Sequence, residues 1–225
     1  MITVWGKRLT GILKVTSPVN FRTIRPADIP SGSLGFEVPY HAYSILLGFL
    51  KDCHSVGLGQ DCTSPETYEE NRYNAFSEAL TCAGFYNDQS SITVDESKLT
   101  CRMIQRVVDI YSELCQGSFG RETLNALLKS LLPAITFTDN TIRGYARIAD
   151  GRVFCRTRRQ SVGWLPADAE LGDCVCFLYG GPVLYSLRPD DDKFYRLIGE
   201  CYLQGLMDGE AMDLPGIDPE DFRIR

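Results

Sequence analysis

Residues 151–212 read GRVFCRTRRQSVGWLPADAELGDCVCFLYGGPVLYSLRPDDDKFYRLIGECYLQGLMDGEAM, and the fold turns on this stretch. Val153, Cys155 and Thr157 alternate with Arg152, Phe154, Arg156 and Arg158, the period of two expected of a half-buried strand. Residues 161–165 predict a second short strand, ended by Pro166. After the Gly172-Asp173 turn, residues 174–179 are almost wholly apolar, as in a strand buried on both faces. Gly180, Gly181 and Pro182 break that run. Residues 183–187 follow, stopped by Arg188-Pro189, and 190–192 form a polar tip before a last long strand, Phe194–Leu203. Five short strands within about 55 residues predict a small antiparallel barrel or a strongly bent sheet.

Outward from that stretch, Ile2–Val15 is rich in Val, Ile, Thr and Trp and predicts a strand or hairpin. An isolated hairpin is marginal in water, so this segment is expected to join the barrel sheet. Residues 17–34 are loop. Pro39 suits the first position of a helix whose apolar face carries Tyr40, Tyr43, Ile45, Leu46, Leu47, Phe49 and Leu50, with Gly57 as its stop. Ser64-Pro65-Glu66 starts a second helix through Tyr68, Tyr73, Phe76, Ala79, Leu80 and Ala83. A third uses Leu99, Met103, Val107, Ile110 and Leu114; a fourth spans 124–132; a fifth spans 138–149, closed by Gly151. The acidic, proline-interrupted tail after Met212 is expected on the surface. The fold class is therefore α+β: an N-terminal strand or hairpin, four to five helices, then a small antiparallel β-barrel-like sheet. One composite domain is expected over 1–225, with strand and loop at 1–33, helices at 34–150, barrel at 151–212 and an acidic tail at 213–225.

The 225 residues are 44% hydrophobic and 11% aromatic, enough for a substantial core, and carry a net charge of −6. That balance argues against a general nucleic-acid binder, which needs a basic surface. The one basic cluster, Arg152, Arg156, Arg158 and Arg159, predicts a solvated strand face or a partner for the acidic tail. No stretch is apolar and long enough to span a bilayer, and no signal-peptide pattern opens the chain. Nine scattered cysteines without a secretory signal imply reduced thiols and a cytoplasmic protein.

Conventional catalytic sets are missing from the sequence. Cys53, His54 and Cys62 lack the paired spacing of zinc sites, Cys174 and Cys176 are expected on opposite faces of their strand, and no metal is predicted. The two histidines, His41 and His54, fall on different faces of the first predicted helix. No GxSxG elbow, phosphate loop or dinucleotide motif is present, so no cofactor is expected. Glu200, between Ile198 and Cys201, is expected to be partly buried. Counting from the 190–193 tip, it should lie near Tyr185 or Pro182, and Arg188 near Phe194, which separates Arg188 from Glu200. A carboxylate buried without a cation would have a raised pKa and suit proton transfer or hydrogen bonding.

The Gly172-Asp173 turn with the apolar run 175–178, the run 184–189 ending in Arg-Pro, and the close GECYLQGLMDGEA at 199–211 together resemble the fungal heterokaryon-incompatibility (HET) family. VWGKRLTGILKV (4–15), FSEALTCAGFYND (76–88) and the helix before Gly151 are similar in order to the C-terminal half of such proteins. The family's N-terminal HET domain, with its Trp-Gly and Ile-Asp-Cys-Asn/Gln signatures, is absent, so its cell-death activity maps to no residue here. The chain is expected to be this half standing alone. Two functions follow as expectations. The first, by analogy with family fragments in fungal secondary-metabolite gene clusters, is a cofactor-independent cyclase or isomerase, including an intramolecular Diels–Alder catalyst. It would bind a hydrophobic small-molecule substrate between helices and barrel, with Glu200, Arg188 and Tyr202 catalytic and Trp164, Tyr179, Tyr185 and Tyr195 lining the site. The second is a non-enzymatic self/non-self recognition module, for which an exposed apolar patch is expected. The oligomeric state is left open.

Overall fold

Fourteen consecutive residues, Ile2–Val15, form a single long strand, β1, and every other layer is arranged around it. The computed structural model describes residues 1–18, 40–59, 70–81, 148–190 and 193–225. After β1 come α1 (Tyr40–Leu58), α2 (Glu70–Thr81), β2 (Arg152–Thr157), β3 (Val162–Pro166), β4 (Cys174–Leu178), β5 (Leu184–Asp190), β6 (Phe194–Leu203), α3 (Glu210–Asp213) and β7 (Glu220–Ile224).

The sheet closes on itself. Its strands run β2-β3-β6-β5-β4-β1, and β1 pairs again with β2, so six strands form a ring. The C-terminal half of β1 reaches β2 through Ile12↔Thr157 and Val15↔Cys155, while its middle pairs with β4 from Gly6↔Leu178 to Gly11↔Cys174. A register shift between Arg8 and Thr10 bends β1 between these partners, the local kink and twist that a bulge supplies. β7 then lies antiparallel to the start of β1, Ile2↔Ile224 to Gly6↔Glu220, and touches β6 in parallel at Tyr195↔Ile224.

Three apolar clusters follow from which face each strand buries. The barrel interior holds Leu9, Ile12, Val153, Cys155, Leu165, Val175, Leu184, Cys201 and Leu203. Outside it, Phe154, Val162 and Trp164 of β2 and β3 meet Phe49, Cys53 and Val56 of α1 and Phe76, Ala79 and Leu80 of α2. The spacing 49-53-56 is one helical stripe, which is why α1 lies on the barrel rather than in solvent. Gly57 admits this approach: a Cβ there would stand 2.5 Å from the Phe76 ring. A third, smaller cluster sits between the outer face of β4–β5 and β7, built on Cys174, Cys176, Leu178, Leu187 and Phe222. Gly163 allows β3 to meet β6, since its Cβ would lie 1.9 Å from the Tyr202 carbonyl oxygen.

Several expectations are corrected. The α+β chain with four to five helices is overturned: among the described residues the protein is mostly β, one mixed seven-stranded sheet with three helices. The predicted helices beyond Gly84 lie outside the described residues, apart from Ile148 and Ala149 at the end of the fifth. Strand β2 is not half-buried, because Phe154 on its outer face is sealed beneath the helices. The tail is not a surface appendage. Glu220, Phe222 and Ile224 alternate with Asp221 and Arg223, a period of two hidden among acids, and Phe222 is fully buried. The strand expected to stop at Arg188-Pro189 runs on to Asp190, with Pro189 opposite Tyr195.

Replacing a buried phenylalanine by alanine costs about 3–5 kcal/mol. Phe222→Ala is therefore expected to lower unfolding free energy by about that amount in urea denaturation, whereas Leu13→Ala on the exposed side of β1 stays within about 0.5 kcal/mol of the parent.

Candidate functional site

The strongest polar constellation of the described barrel is at the turn before β4. Asp173, only 1% exposed, accepts from Arg188 Nε at 2.8 Å and Nη2 at 3.1 Å, and from the Glu170 backbone N–H at 2.9 Å. Arg188 also donates to the Asp168 carbonyl at 2.6 Å and lies 3.4 Å from Glu170. The two-pronged bond from Asp173 holds the Arg188 guanidinium above its ordinary pKa. Every donor is turned toward the 168–173 loop, so the group ties β5 to that loop.

The other predicted site residues disperse. Glu200 faces Tyr185 across the β5–β6 ladder, as the register count expects, yet it is exposed rather than partly buried. Arg188 stands opposite Arg196 rather than near Phe194, because the ladder runs unbroken to Asp190↔Phe194, which takes Phe194 as the partner of Asp190. Trp164 is wholly buried, its ring stacked 5.9 Å from Phe49 and edge-on 5.2 Å from Phe154, with Nε1 donating to the Ala79 carbonyl at 2.8 Å. Tyr202 faces the helical layer and donates to Gln204, whose amide donates to Glu78 of α2. Tyr185 packs on the third cluster. The basic cluster is split: Arg158 and Arg159 are exposed, while Arg152 and Arg156 are half-buried, Arg152 reaching the Glu200 carbonyl at 3.5 Å and Arg156 keeping Nε buried.

Two features escaped the sequence. The first joins β1, β6 and β7. Arg8 pairs with Glu220 at 3.0 Å, donates to the Tyr195 hydroxyl and lies 5.4 Å from the Tyr195 ring centre. Burial pushes the Tyr195 hydroxyl above its ordinary pKa. Beneath it, Cys174 and Cys176 present their sulfurs 3.6 Å apart. The expectation of opposite faces fails because residues two apart on a strand share a face. Cys174 is lowered, first by a hydrogen bond from Cys176 and then by Arg8, and Cys176 is correspondingly raised. Burial instead pushes Cys155 up to about 12 and Cys53 and Cys201 well above the usual range. All five described cysteines are free, and no described group of three or more His, Cys, Asp and Glu residues is placed to hold a metal.

The second feature is apolar. Tyr179 N–H donates to the Trp5 carbonyl at 2.9 Å, which sets the two residues side by side at the β1–β4 edge. Trp5 is 51% exposed and Tyr179 38% exposed, and Phe177 lies edge-on to Tyr179 at 5.5 Å. Lys7, opposite Phe177, donates from Nζ to the Met212 carbonyl at 2.6 Å, and Met212 is itself exposed. No described helix is long and apolar enough to cross a membrane.

These features define a small closed β-barrel with helices on one outer face and an aromatic patch at one end. Residues 136–222 match the family model of the Het-6 beta-barrel domain, which makes the C-terminal part of the chain a match to a heterokaryon-incompatibility-related family. No curated protein and no solved structure matches the chain. The matched span contains β2 to β6, while β1, which closes the ring, lies before it.

Arg188→Gln removes the cation from a buried carboxylate and leaves acceptors unsatisfied, a loss on the order of 1–3 kcal/mol. The expected result is a lower denaturation midpoint with an unchanged far-ultraviolet spectrum, whereas Glu170→Gln, which alters an exposed carboxylate, shifts the midpoint little.

Proposed function

We propose that the protein is a non-enzymatic recognition module of the heterokaryon-incompatibility type, binding a protein partner through the end of the barrel that carries Trp5 and Tyr179. The match over residues 136–222 supports the class. The observation that carries the reading is the exposed Trp5, held beside Tyr179 and Phe177 by the β1–β4 ladder. A large aromatic ring fixed on a strand loses little freedom on binding, and such residues dominate interface energies. Lys7 beside them supplies a cation at the rim. Closure by β1 and the packing of α1 and α2 on the outer face support taking residues 1–225 as one composite domain.

The cyclase reading receives no comparable support. Trp164, its central aromatic, is committed to the core; Arg188 is committed to Asp173; and Glu200 stands in solvent rather than in an apolar enclosure.

The test is affinity capture from a heterokaryon-forming fungus followed by rebinding of the captured partner as a purified protein. Trp5→Ala with Tyr179→Ala is expected to weaken the purified interaction by at least about tenfold, roughly 1.4 kcal/mol, while Tyr202→Phe, on the helical side, binds as the parent does. An interaction insensitive to the double change, but abolished at Tyr202, would place recognition elsewhere.

A further inference from the structure

Cys174 and Cys176 are an unusual pair for a barrel wall. Both point into the small cluster under β7, with Sγ atoms 3.6 Å apart and the Leu187 carbonyl 3.4 Å from Cys174 Sγ. Cys174 keeps 5% of its surface while Cys176 is fully enclosed, so an oxidant small enough to enter meets Cys174 first. The Arg8 guanidinium approaches from the adjoining strand, where Arg8 is the register partner of Cys176. Positive charge and a neighbouring S–H donor are what favour a thiolate over a thiol. The remaining described cysteines, Cys53, Cys155 and Cys201, are buried with their thiols held protonated.

We propose that Cys174 and Cys176 form a redox-modified site, oxidised by a peroxide to an intrastrand disulfide. The Cys174 thiolate attacks one peroxide oxygen, breaking the O–O bond; the sulfur becomes a sulfenic acid and the departing hydroxide takes up a proton to leave as water. Cys176 sulfur then attacks the sulfenic sulfur, the S–S bond forms, and a second water leaves with the Cys176 proton. Two thiols are oxidised by two electrons and one peroxide is reduced to two waters.

Strand geometry fixes the character of the product. Residues two apart on a strand are about 6.6–6.8 Å apart at Cα, the outer limit of the range of about 4.4–6.8 Å that disulfides span. The bond therefore forms under strain, and strained disulfides are the readily reduced ones. The register shift in β1 beside Cys176 is where the wall can absorb the change. The site is thus suited to reversible oxidation rather than to permanent cross-linking.

Trypsin leaves both cysteines, and no other, on the peptide spanning 160–193, because Arg188 precedes Pro189. The folded protein is treated with hydrogen peroxide, its remaining thiols are alkylated after denaturation, and this peptide is weighed. The expected result is a peptide lighter by two hydrogen atoms and carrying no alkyl group, restored by dithiothreitol, while Cys53, Cys155 and Cys201 alkylate in full. In Cys176→Ser the intermediate has no resolving thiol, and dimedone is expected to label Cys174. Two alkylated sulfurs after peroxide would overturn the proposal, as would sulfinic acid on Cys174 with Cys176 untouched, or a disulfide between molecules. If Cys176→Ser does not fold, the parent peptide decides alone.

Discussion

The structure depends on β1 being long enough to serve three partners. A strand of fourteen residues pairs with β7 at its start, β4 along its middle and β2 at its end. Backbone donors and acceptors must all be paired or solvated, and a ring of strands satisfies them without leaving an open ladder. Without β1 the strands β2-β3-β6-β5-β4 would form a curled five-stranded sheet with β2 and β4 as raw edges. The interior cluster would also lose Leu9 and Ile12 and open to water. The bend between Arg8 and Thr10 lets one strand turn from one set of neighbours to the next.

The barrel was legible in the sequence because its signals are local. Gly172, Gly180 and Pro182 punctuate runs of β-branched and apolar residues, and β2 to β6 fall close to where those breaks place them. The register of the last hairpin could be counted at Tyr185↔Glu200, but not at Arg188, since a polar run at 190–192 does not say that Asp190 still pairs with Phe194. The tail was misread for a related reason. Five residues with one aromatic side chain among acids do not announce a strand, and only the neighbouring β1 makes Phe222 a core residue.

The candidate site was less legible than the fold. Burial is a property of the neighbours, and Trp164, Tyr202 and Glu200 were assigned roles on residue type alone. Trp164 is claimed by α1 and α2, which reach the barrel from far earlier in the chain. Glu200 is left in solvent because β6 turns that face outward, between the interior Cys201 and Ile198. Arg8 with Tyr195 and Glu220, and Trp5 with Tyr179, unite opposite ends of the sequence or distant strands, and no local pattern brings such residues together. Cys174 and Cys176 are the exception. Their two-residue spacing on an apolar run carried the necessary information, and correct use of strand parity was enough to put the sulfurs side by side.

The pairing of the first strand with the last also sets an order of events. During synthesis β1 emerges long before β4 and β7, so the nascent chain carries an alternating apolar strand with no ladder to enter. Contacts between such distant segments are slow to form, because chain closure must be paid for before they stabilise anything. Until Glu220–Ile224 is made, the start of β1 is a template open to any other strand, including another copy of itself. The start of β1 can therefore be covered only after Glu220–Ile224 has been made, and folding yield will be governed by what shields that strand in the meantime.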